Sequence, residues 1–378
     1  MTTPTPLTPD PKNYVLQLCH SHDGPFLDCA RQYARLFADM PYKVITVYLT
    51  GEADAAVASG SASNEVIFLG YRSPQLRGLK LKVIRDVRRI AARYPFRFCI
   101  AHRFKSVHAA LLGTPLPVIG VHHAFGDYRR LSRRLFARAF RERLTLLGVS
   151  NAVRDDMRAS LPAWSPARIE TLYNRIDIAA VQAAQFDRDR ARAALSLPAD
   201  AWIVGNVGRL HPDKDQATLI RGFAGALPAL PAGSLLVIMG SGRLEAALKA
   251  LAAELGVAAS VRFLGQVPEG RRYFKAFDLF ALTSDHEPFG MVLLEAMAAG
   301  VPVLCSDCGG APEVVGESGR RFPLGDATAL GRLLLESAAR RHAEDDAERL
   351  KTHFSDAAAR RVFWRLPMTK DFLPEPTC

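Results

Sequence analysis

The chain has 378 residues, of which 49% are hydrophobic and 23% are charged. This composition is typical of a globular protein, and the length predicts two domains. The formal net charge of +11 indicates an anionic partner, of which nucleic acid, a membrane surface and a phosphorylated substrate are the classes that fit. No apolar run reaches the length of a transmembrane helix.

The beginning of the chain and its cysteines do not indicate a signal peptide or a zinc site. MTTPTPLTPDP, Met1 to Pro11, has no apolar core of a signal peptide, so we expect a disordered tail. The six cysteines are scattered, which fits reduced thiols in a cytoplasm. Cys305 and Cys308 form one C-x-x-C, but a zinc site needs two more ligands and no second pair supplies them. We therefore interpret both as structural or loop thiols.

The first half of the chain alternates short apolar runs with helical patterns. The strand candidates are YVLQLCH, YKVITVYL, EVIFLG, FRFCIAH, PVIGVHH and LTLLGVS. Helical patterns such as FLDCARQYARLFADM and LKLKVIRDVRRIAARY lie between them. This alternation indicates a parallel sheet covered on both faces, which we assign to a domain at 12–177.

The second half repeats the alternation after a polar, alanine-rich connection at 178–200. Its strand candidates are WIVGNVG, SLLVIMG, VRFLG, LFALTS and VPVLCSD, in a domain at 201–350. The last segment, 351–378, contains a helical pattern that can return to the first domain. The prediction is two doubly wound α/β domains, with a ligand beyond the carboxyl ends of their strands in a cleft between them.

Two loops of the second half suit a phosphorylated ligand. Arg209 and Lys214 follow a strand, where two cations can hold a diphosphate, and Gly240 and Gly242 stand where a nucleotide loop is expected. Glu245 occupies the place of the third glycine of a dinucleotide fingerprint, which argues against NAD. Each element alone is also common on an ordinary surface, so it is their convergence at strand ends that favours a binding site.

The stretch SDHEPFGMVLLEAMAAG, Ser284 to Gly300, carries two carboxylates. Glu287 precedes a proline and therefore belongs to a loop, whereas Glu295 belongs to a helix that begins near Gly290 and runs to Gly300. Eight helical positions separate two side chains by about 12 Å, and a glycosidase pair needs about 5 to 9.5 Å. The two acids are therefore expected to hold opposite ends of a long ligand, and the helix start offers N–H groups to an anion.

These stretches resemble the retaining glycosyltransferases of family 4, which have the GT-B fold. The resembling segments are VGRLHPDKD, IMGSGRLEAAL, VRFLGQV, EPFGMVLLEAMAAGVPVL and CGGAPEVV, in the family's order across 202–321. The first half matches more loosely, through PVIGVHH, LLGVSNAVRDDM and TLYNRID, where Arg175 replaces the family's usual glycine. The resemblance implies two Rossmann-like domains that face each other across a cleft.

The resemblance also implies residue roles toward a nucleotide-sugar donor. Glu295 should bind the ribose hydroxyls, and Glu287 should lie near the sugar. Arg209 and Lys214 should neutralise the leaving diphosphate. The residues expected to touch the sugar or phosphate through backbone amides are Phe289, Gly290 and Met291. No divalent metal and no other cofactor is implied.

In the first domain the resemblance points to His122 and Gly24. His122 aligns with the active-site histidine close to the donor sugar, although a histidine at a strand end is also a common hydrogen-bonding loop residue and His123 is adjacent. Gly24 matches the loop that approaches the phosphates, since glycine lets backbone come close. His102 and Lys105 stand at another strand end and are assigned to the acceptor side.

The positive charge is concentrated in DYRRLSRRLFARAFRER, Asp127 to Arg143, and YRSPQLRGLKLKVIRDVRRIAARYPFR repeats the theme. Apolar residues interleave with the arginines of the first stretch at helical spacing; they are Leu131, Leu135, Phe136 and Phe140. A basic amphipathic helix suits an anionic membrane surface. The alternative is a helix packed on its sheet with a solvated basic face.

The function expected from the sequence is transfer of a hexose from UDP-glucose or a related UDP-hexose to a glycan or glycolipid acceptor such as a lipopolysaccharide core. The expected location is the cytoplasm, peripheral on the inner face of the cytoplasmic membrane. One alternative is a GT-B epimerase or phosphorylase. A nucleic-acid-binding protein is the other, although no recognisable nucleic-acid module and no stacking aromatics in a basic groove support it, so no nucleic-acid partner is expected.

Overall fold

The computed structural model describes residues 13–24, 26–316, 320–339 and 346–373. The chain divides into two compact units, the first formed by Met1–Asn174 with Asp356–Cys378 and the second by Arg175–Ser355. The threonine- and proline-rich start expected to be a disordered tail lies outside the described residues. Each unit is a parallel sheet flanked by helices, so the predicted α/β class with two Rossmann-like units is confirmed.

The first unit contains a parallel sheet of seven described strands in the order β3-β2-β1-β4-β5-β6-β7. The strands are β1 Tyr14–Cys19, β2 Lys43–Thr50, β3 Glu65–Tyr71, β4 Phe96–His102, β5 Val118–His122, β6 Leu144–Gly148 and β7 Ile169–Thr171. The order reverses at β1 and β4, which is the topological switch point of a doubly wound sheet. Its helices are α1 Phe26–Ala34, α2 Ala55–Gly60, α3 Leu81–Ala91, α4 Arg103–Gly113, α5 Leu131–Ala139 and α6 Asn151–Ser160.

Helix α3 shows how the pattern of apolar residues fixes the packing of this unit. Its buried residues are Val83, Ile84, Val87 and Ile90, which recur at helical spacing and form one apolar stripe. The remaining positions are largely basic and point away from the core. The stripe packs on α4, where an added Cβ at Gly113 would lie 3.0 Å from a Val87 methyl group.

The second unit contains a parallel sheet of six described strands in the order β10-β9-β8-β11-β12-β13. The strands are β8 Ile203–Val207, β9 Leu235–Met239, β10 Val261–Gly265, β11 Leu279–Leu282, β12 Val303–Ser306 and β13 Arg320–Phe322. The described helices are α7 Ile178–Ala184, α8 Arg188–Ala194, α9 Gln216–Ala226, α10 Glu245–Glu254, α11 Met291–Ala298, α12 Ala311–Val315, α13 Ala327–Ala339 and α14 Asp346–His353. Strands β8 and β11 are neighbours, so the loops that follow them meet at one sheet edge.

The segment 178–200 is part of the second unit and contains α7 and α8. Arg192 of α8 is fully buried and anchors this helix, because its guanidinium bonds to Asp278 at 2.8 Å and to the Ala276 carbonyl at 3.0 Å. The neighbouring departure from the family pattern, Arg175, is also buried and is not among the residues with positive φ. This position therefore does not require a glycine here.

The chain returns to the first unit after the second. Helix α15, Asp356–Phe363, and the turn that follows it belong to that unit. Phe363 and Trp364 pack edge-on against Phe37 at 5.9 and 5.7 Å between ring centroids. The Trp364 indole donates to the Leu36 carbonyl at 3.2 Å.

Helix α5 differs from the single apolar face expected of it. Phe136 stacks on His108 of α4 at 4.8 Å between ring centroids, but Leu131 and Leu135 are 60% and 56% exposed. The apolar residues of this helix therefore point in two directions, one toward the unit and one toward solvent. Among the described residues, none of the helices has both the length and the hydropathy needed to cross a bilayer.

Candidate active site

The loop between β11 and α11 carries the first carboxylate of the candidate site. The strand ends at Leu282, and α11 begins only after Gly290, which has a left-handed φ of 97°. Glu287 therefore lies in a loop and Glu295 in a helix, as the spacing predicted. The left-handed turn at Gly290 favours glycine, because other residues adopt this conformation at a cost.

Glu287 and Lys214 form a largely buried ion pair. The Lys214 Nζ lies 2.7 Å from the Glu287 Oε2, with side-chain exposures of 20% and 10%. The Ser284 hydroxyl donates to the same carboxylate oxygen at 3.2 Å, and the ammonium lies 3.4 Å from that hydroxyl. A carboxylate with two hydrogen-bond donors holds the ammonium in one place, so the pair presents an oriented cation beside the strand ends.

The loop of Glu287 is fixed by the segment after β12. The Gly310 amide donates to the Glu287 carbonyl at 2.7 Å, and an added Cβ at Gly309 would lie 2.2 Å from that same oxygen. The Cys308 thiol donates to the Asp285 carbonyl at 2.8 Å. Only a glycine at position 309 permits this approach, so the backbone of the segment CGGAPEVV holds the loop of Glu287 in place.

Gly240 and Gly242 serve a similar close approach between two loops. Added Cβ atoms would lie 1.9 Å from the Gly208 carbonyl oxygen and 2.3 Å from the Leu210 carbonyl oxygen. The Leu210 amide donates to the Ser241 carbonyl at 3.0 Å. These glycines therefore let the loop after β9 lie against the loop that carries Arg209 and Lys214.

Arg209 is the more exposed cation of the site. Its side chain is 71% exposed and pairs only with Asp213, at 3.3 Å, among the described residues. A surface pair of this kind contributes little stability, so the guanidinium can turn toward a phosphate at small cost. The Arg209 carbonyl accepts from the side-chain amide of Gln216 at 3.0 Å. This bond fixes the backbone of Arg209 while its side chain remains adjustable.

Helix α11 positions the second carboxylate. Glu295 is partly exposed on this helix, and its backbone carbonyl accepts from the side-chain amide of Gln185 at 3.5 Å. Phe289 is 2% exposed and packs edge-on against Phe354 at 5.8 Å between ring centroids. Buried Phe289 anchors the start of the helix, and Met291 is its first helical residue.

His122 lies at the end of β5 with its ring inside the first unit. Its side chain is fully buried, the Nδ1 atom lies 2.6 Å from the Asp127 carboxylate, and the Nε2 atom lies 3.1 Å from the Tyr128 hydroxyl. Both ring nitrogens are thus occupied inside the first unit. The place of His122 beside the donor sugar therefore stays a prediction.

His123 is the neighbour that retains exposed surface. Its Nε2 atom lies 3.1 Å from the Nδ1 atom of buried His102. Burial, followed by the charges of His122 and Arg103, lowers the pKa of His123 to about 3. Burial also holds the pKa of His102 well below its ordinary value. Both rings are therefore neutral near pH 7, and one nitrogen of the pair accepts the proton of the other.

Gly24 lies in an exposed turn between β1 and α1. Its φ is 56°, and an added Cβ would meet no heavy atom within 4 Å. The turn itself therefore favours glycine at this position, and space beside the backbone is open for a ligand.

Metal ligands are not grouped in this structure. No cluster of three or more histidine, cysteine, aspartate or glutamate side chains suited to a metal ion occurs in the part of the chain that is described. Cys305 is a buried free thiol and Cys308 a partly exposed one. One Asp-x-Asp occurs at Asp187 and Asp189, where Asp187 caps α8 by accepting from the Arg190 amide at 2.8 Å. Another occurs at Asp213 and Asp215, where Asp213 pairs with Arg209 and Asp215 caps α9 by accepting from the Thr218 amide at 3.3 Å.

Two solved structures share this architecture at low sequence identity. A glycosyltransferase from Rickettsia africae superposes with a TM-score of 0.81 at 14% identity, over 97% of this chain and 100% of that one. HepE from Anabaena, solved in complex with UDP and glucose, gives a TM-score of 0.73 at 20% identity, over 92% of this chain and 97% of that one. Identities this low establish the fold alone.

Two family models match successive parts of the chain. Residues 29–180 match the model described as Glycosyltransferase Family 4. Residues 187–339 match the model described as Glycosyl transferases group 1. The chain belongs to the GT-B glycosyltransferases.

Curated relatives of this glycosyltransferase match over part of their length. The lipopolysaccharide core biosynthesis glycosyltransferase LpsE of Rhizobium meliloti is 36% identical over 186 residues, which are 47% of this chain and 53% of the relative. The chain thus spans about half the length of this curated relative.

Some residues of this glycosyltransferase site escaped sequence reasoning. Ser284 lies two residues after β11 and carried no assigned role, although a hydroxyl just past a strand end is a usable signal. Gly309 lies in a segment noted only for its resemblance. Ser284 and Gly309 contact the Glu287 loop only in the folded chain, and spacing along the sequence does not show such contacts.

Proposed function

We propose that this glycosyltransferase transfers a hexose from a UDP-hexose, such as UDP-glucose, to a cell-surface glycan or glycolipid acceptor with retention of configuration. The observation that carries the proposal is the Lys214–Glu287 ion pair at 2.7 Å, on neighbouring strand ends with exposed Arg209 nearby. The resemblance to family 4 supports retention, and the UDP-bound HepE structure supports the donor class.

The chemistry required of the second unit is stabilisation of a leaving diphosphate. As the bond between the anomeric carbon and the phosphate oxygen breaks, its electron pair passes to the diphosphate and positive charge develops on the sugar ring. Cations that are already held in position stabilise the negative charge on the diphosphate without having to move. Lys214 is oriented by Glu287 and Ser284, and Arg209 adds a second, adjustable charge. Transfer by this set of residues requires no divalent metal.

Donor binding is assigned to the residues around α11. The Glu295 carboxylate accepts hydrogen bonds from the ribose hydroxyls, and the backbone amides near Gly290 meet the sugar or the phosphate. The helix start favours an anion because its first N–H groups lack partners within the helix.

The acceptor side is assigned to a membrane-associated glycolipid. The four most exposed large apolar side chains among the described residues are Leu79, Leu81, Leu131 and Leu135, at 73%, 71%, 60% and 56%. All of them lie in the first unit, among exposed lysines and arginines. Apolar side chains that enter a bilayer beside cations that attract anionic lipid give a peripheral membrane protein. LpsE, with its name in lipopolysaccharide core biosynthesis, supports an acceptor of this class on the inner face of the cytoplasmic membrane.

Binding and product analysis test the proposal. Calorimetry with UDP, GDP and ADP should show that UDP binds most tightly, and UDP-glucose with an α linkage should give an α-linked product by proton NMR. Preference for another nucleotide would overturn the donor assignment. A β-linked product would overturn retention.

A further inference from the structure

The short turn Pro212–Lys214 carries a carboxylate close to both of the candidate phosphate-binding cations. Asp213 directly precedes Lys214 in this turn, and its side chain pairs with Arg209. The Asp285 amide donates to the Asp213 carbonyl at 3.1 Å, which fixes the backbone of the turn to the loop after β11. The side chain of Asp213 can therefore exchange partners without a movement of the chain.

The Asp213 carboxylate is shared unequally between two partners. Its Oδ1 atom lies 2.5 Å from the His211 Nδ1 atom, whereas its Oδ2 atom lies 3.3 Å from one terminal nitrogen of Arg209. The side chains of Asp213 and His211 are 26% and 38% exposed, and that of Arg209 is 71% exposed. Because the shorter contact is the one to His211, the carboxylate stays hydrogen-bonded when the guanidinium of Arg209 leaves it.

The ion pair of Lys214 differs from the ion pair of Arg209 in both length and burial. The Lys214 ammonium lies 2.7 Å from Glu287, and these side chains are only 20% and 10% exposed. Breaking a buried pair is costly, whereas an exposed pair contributes at most about a fivefold change in an equilibrium constant. A diphosphate also offers a guanidinium two oxygens at once, which a single contact to Asp213 does not. Lys214 is therefore a fixed cation, and Arg209 is an exchangeable one.

We propose that Asp213 is a positioning residue that holds Arg209 when no nucleotide is bound and takes it back from UDP when the product leaves. This inference rests on the proposed function, because it requires that Arg209 meets the diphosphate of the nucleotide. Asp213 and the diphosphate compete for one guanidinium, so the carboxylate lowers the affinity for UDP and speeds its dissociation. Asp213 acts through Arg209 and makes no contact with the nucleotide.

Calorimetry of the full chain with UDP measures this competition. Asp213→Asn keeps an acceptor for His211 but removes the charge that holds Arg209. UDP should therefore bind about two- to fivefold more tightly, which is the range expected for one exposed ion pair. Asp213→Glu keeps the charge and should bind UDP as the wild type does. A gain in affinity separates this role from a structural one, because damage to the turn would weaken binding.

A double-variant cycle shows whether Asp213 acts through Arg209. In an Arg209→Gln background, Asp213→Asn should leave the UDP affinity unchanged, because the guanidinium for which the carboxylate competes is absent. The matched control is Asp155→Asn in α6, which takes the same charge from another arginine pair, Arg154–Asp155 at 2.8 Å. This control should bind UDP as the wild type does.

Stopped-flow measurement of UDP dissociation tests the role in product release. Asp213→Asn should release UDP about two- to fivefold more slowly, since variants of one site differ mainly in their dissociation rates. A gain in affinity that comes only from faster association would overturn the role in release.

Unchanged or weaker UDP binding by Asp213→Asn would overturn the inference and leave the proposed function standing, since UDP still binds. Tighter binding that persists in the Arg209→Gln background would also overturn it, because the carboxylate would then act on the diphosphate directly. A wild type that binds no UDP would overturn the proposed function itself.

Discussion

Lys214 and Glu287 should act on the donor as one unit, because Glu287 holds the ammonium that meets the diphosphate. Lys214→Met should lower kcat on the order of 10²-fold, as expected for one lost preorganised donor. Glu287→Gln should also lower kcat, and the double variant should be no worse than Lys214→Met alone. Steady-state kinetics of the four proteins measures this coupling.

The matched control is the surface pair Lys249–Glu245, which has the same 2.7 Å separation. Lys249→Met and Glu245→Gln should leave kcat unchanged. If the loss of kcat in the double variant equals the product of the losses in the two single variants, Lys214 and Glu287 act separately. This result would contradict their action as one group.

Glu295 is predicted to contribute mainly to donor binding. Glu295→Ala should weaken UDP binding by about 1.5 to 3 kcal/mol, because hydrogen bonds from the ribose to a charged group are lost. Calorimetry measures the change, with Glu254→Ala on exposed α10 surface as the control. A folded Glu295→Ala protein with wild-type UDP affinity would remove Glu295 from the site.

The sequence placed single residues in loops, helices or strands, but it did not show which way each side chain points. It placed Glu287 in a loop and Glu295 in a helix, because proline and glycine constrain the backbone locally. The resemblance pointed to His122, and alternation along a strand predicts opposite faces for His122 and His123 but not which face is buried at the strand end. The burial of the His122 ring against Asp127 and Tyr128 became visible only in three dimensions.

Helix α5 is the element predicted to hold the protein on a membrane. Arg130, Arg134 and Arg138 are exposed, and each cation near an anionic surface contributes about 1 kcal/mol. Changing all three to Gln should release the protein from anionic vesicles in co-sedimentation, and raised salt should mimic the change. Arg133 is left intact because it bonds to Asp127.

The control for this experiment changes the exposed Arg221, Arg262 and Arg332 of the second unit to Gln, which alters the net charge equally. UDP binding should persist in both triple variants. Vesicle binding that survives the α5 changes but falls with the control changes would show that net charge, and not this helix, attracts the membrane.

The elements themselves were predictable where the apolar pattern is strong. Buried central strands such as β9 and β11 are continuous apolar runs, which are clear in the sequence. Two short edge strands, β7 and β13, were missed because IET and RRF have three residues each and no such run. The exposure of Leu131 and Leu135 was also missed, because helical spacing shows that residues share a face without showing what that face contacts.

Three partly buried histidines should make the first unit sensitive to acid. Burial is the main cause that lowers the pKa of His20 and of His108 to about 4, and that of His123 to about 3, from an ordinary 6.5. Between pH 6.5 and about 4 the unfolded chain binds protons that the folded unit does not, so stability falls as pH falls. His108→Gln should reduce this slope by up to about 1.4 kcal/mol per pH unit.

Urea unfolding between pH 5 and pH 8 measures this slope. A Trp202→Phe background leaves Trp164 and Trp364 as reporters in the first unit. His286→Gln, at an exposed position of the second unit, is the control and should leave the slope unchanged. Equal slopes for wild type and His108→Gln would contradict a neutral, partly buried His108.

At the scale of the whole molecule, the two-unit α/β architecture followed from the alternation of strands and helices. The position of the unit boundary, between Asn174 and Arg175, and the placement of α7 and α8 in the second unit were not readable. They depend on contacts such as the buried Arg192–Asp278 pair, which joins residues far apart in the chain.

Release of nucleotide from a panel of UDP-, GDP- and ADP-sugars, with and without EDTA, tests the proposed sugar transfer. We predict that the wild type releases UDP from a UDP-hexose, that EDTA leaves the rate unchanged, and that Lys214→Met lowers the rate on the order of 10²-fold. Release from none of these donors, or a strict requirement for a divalent metal, would contradict the account.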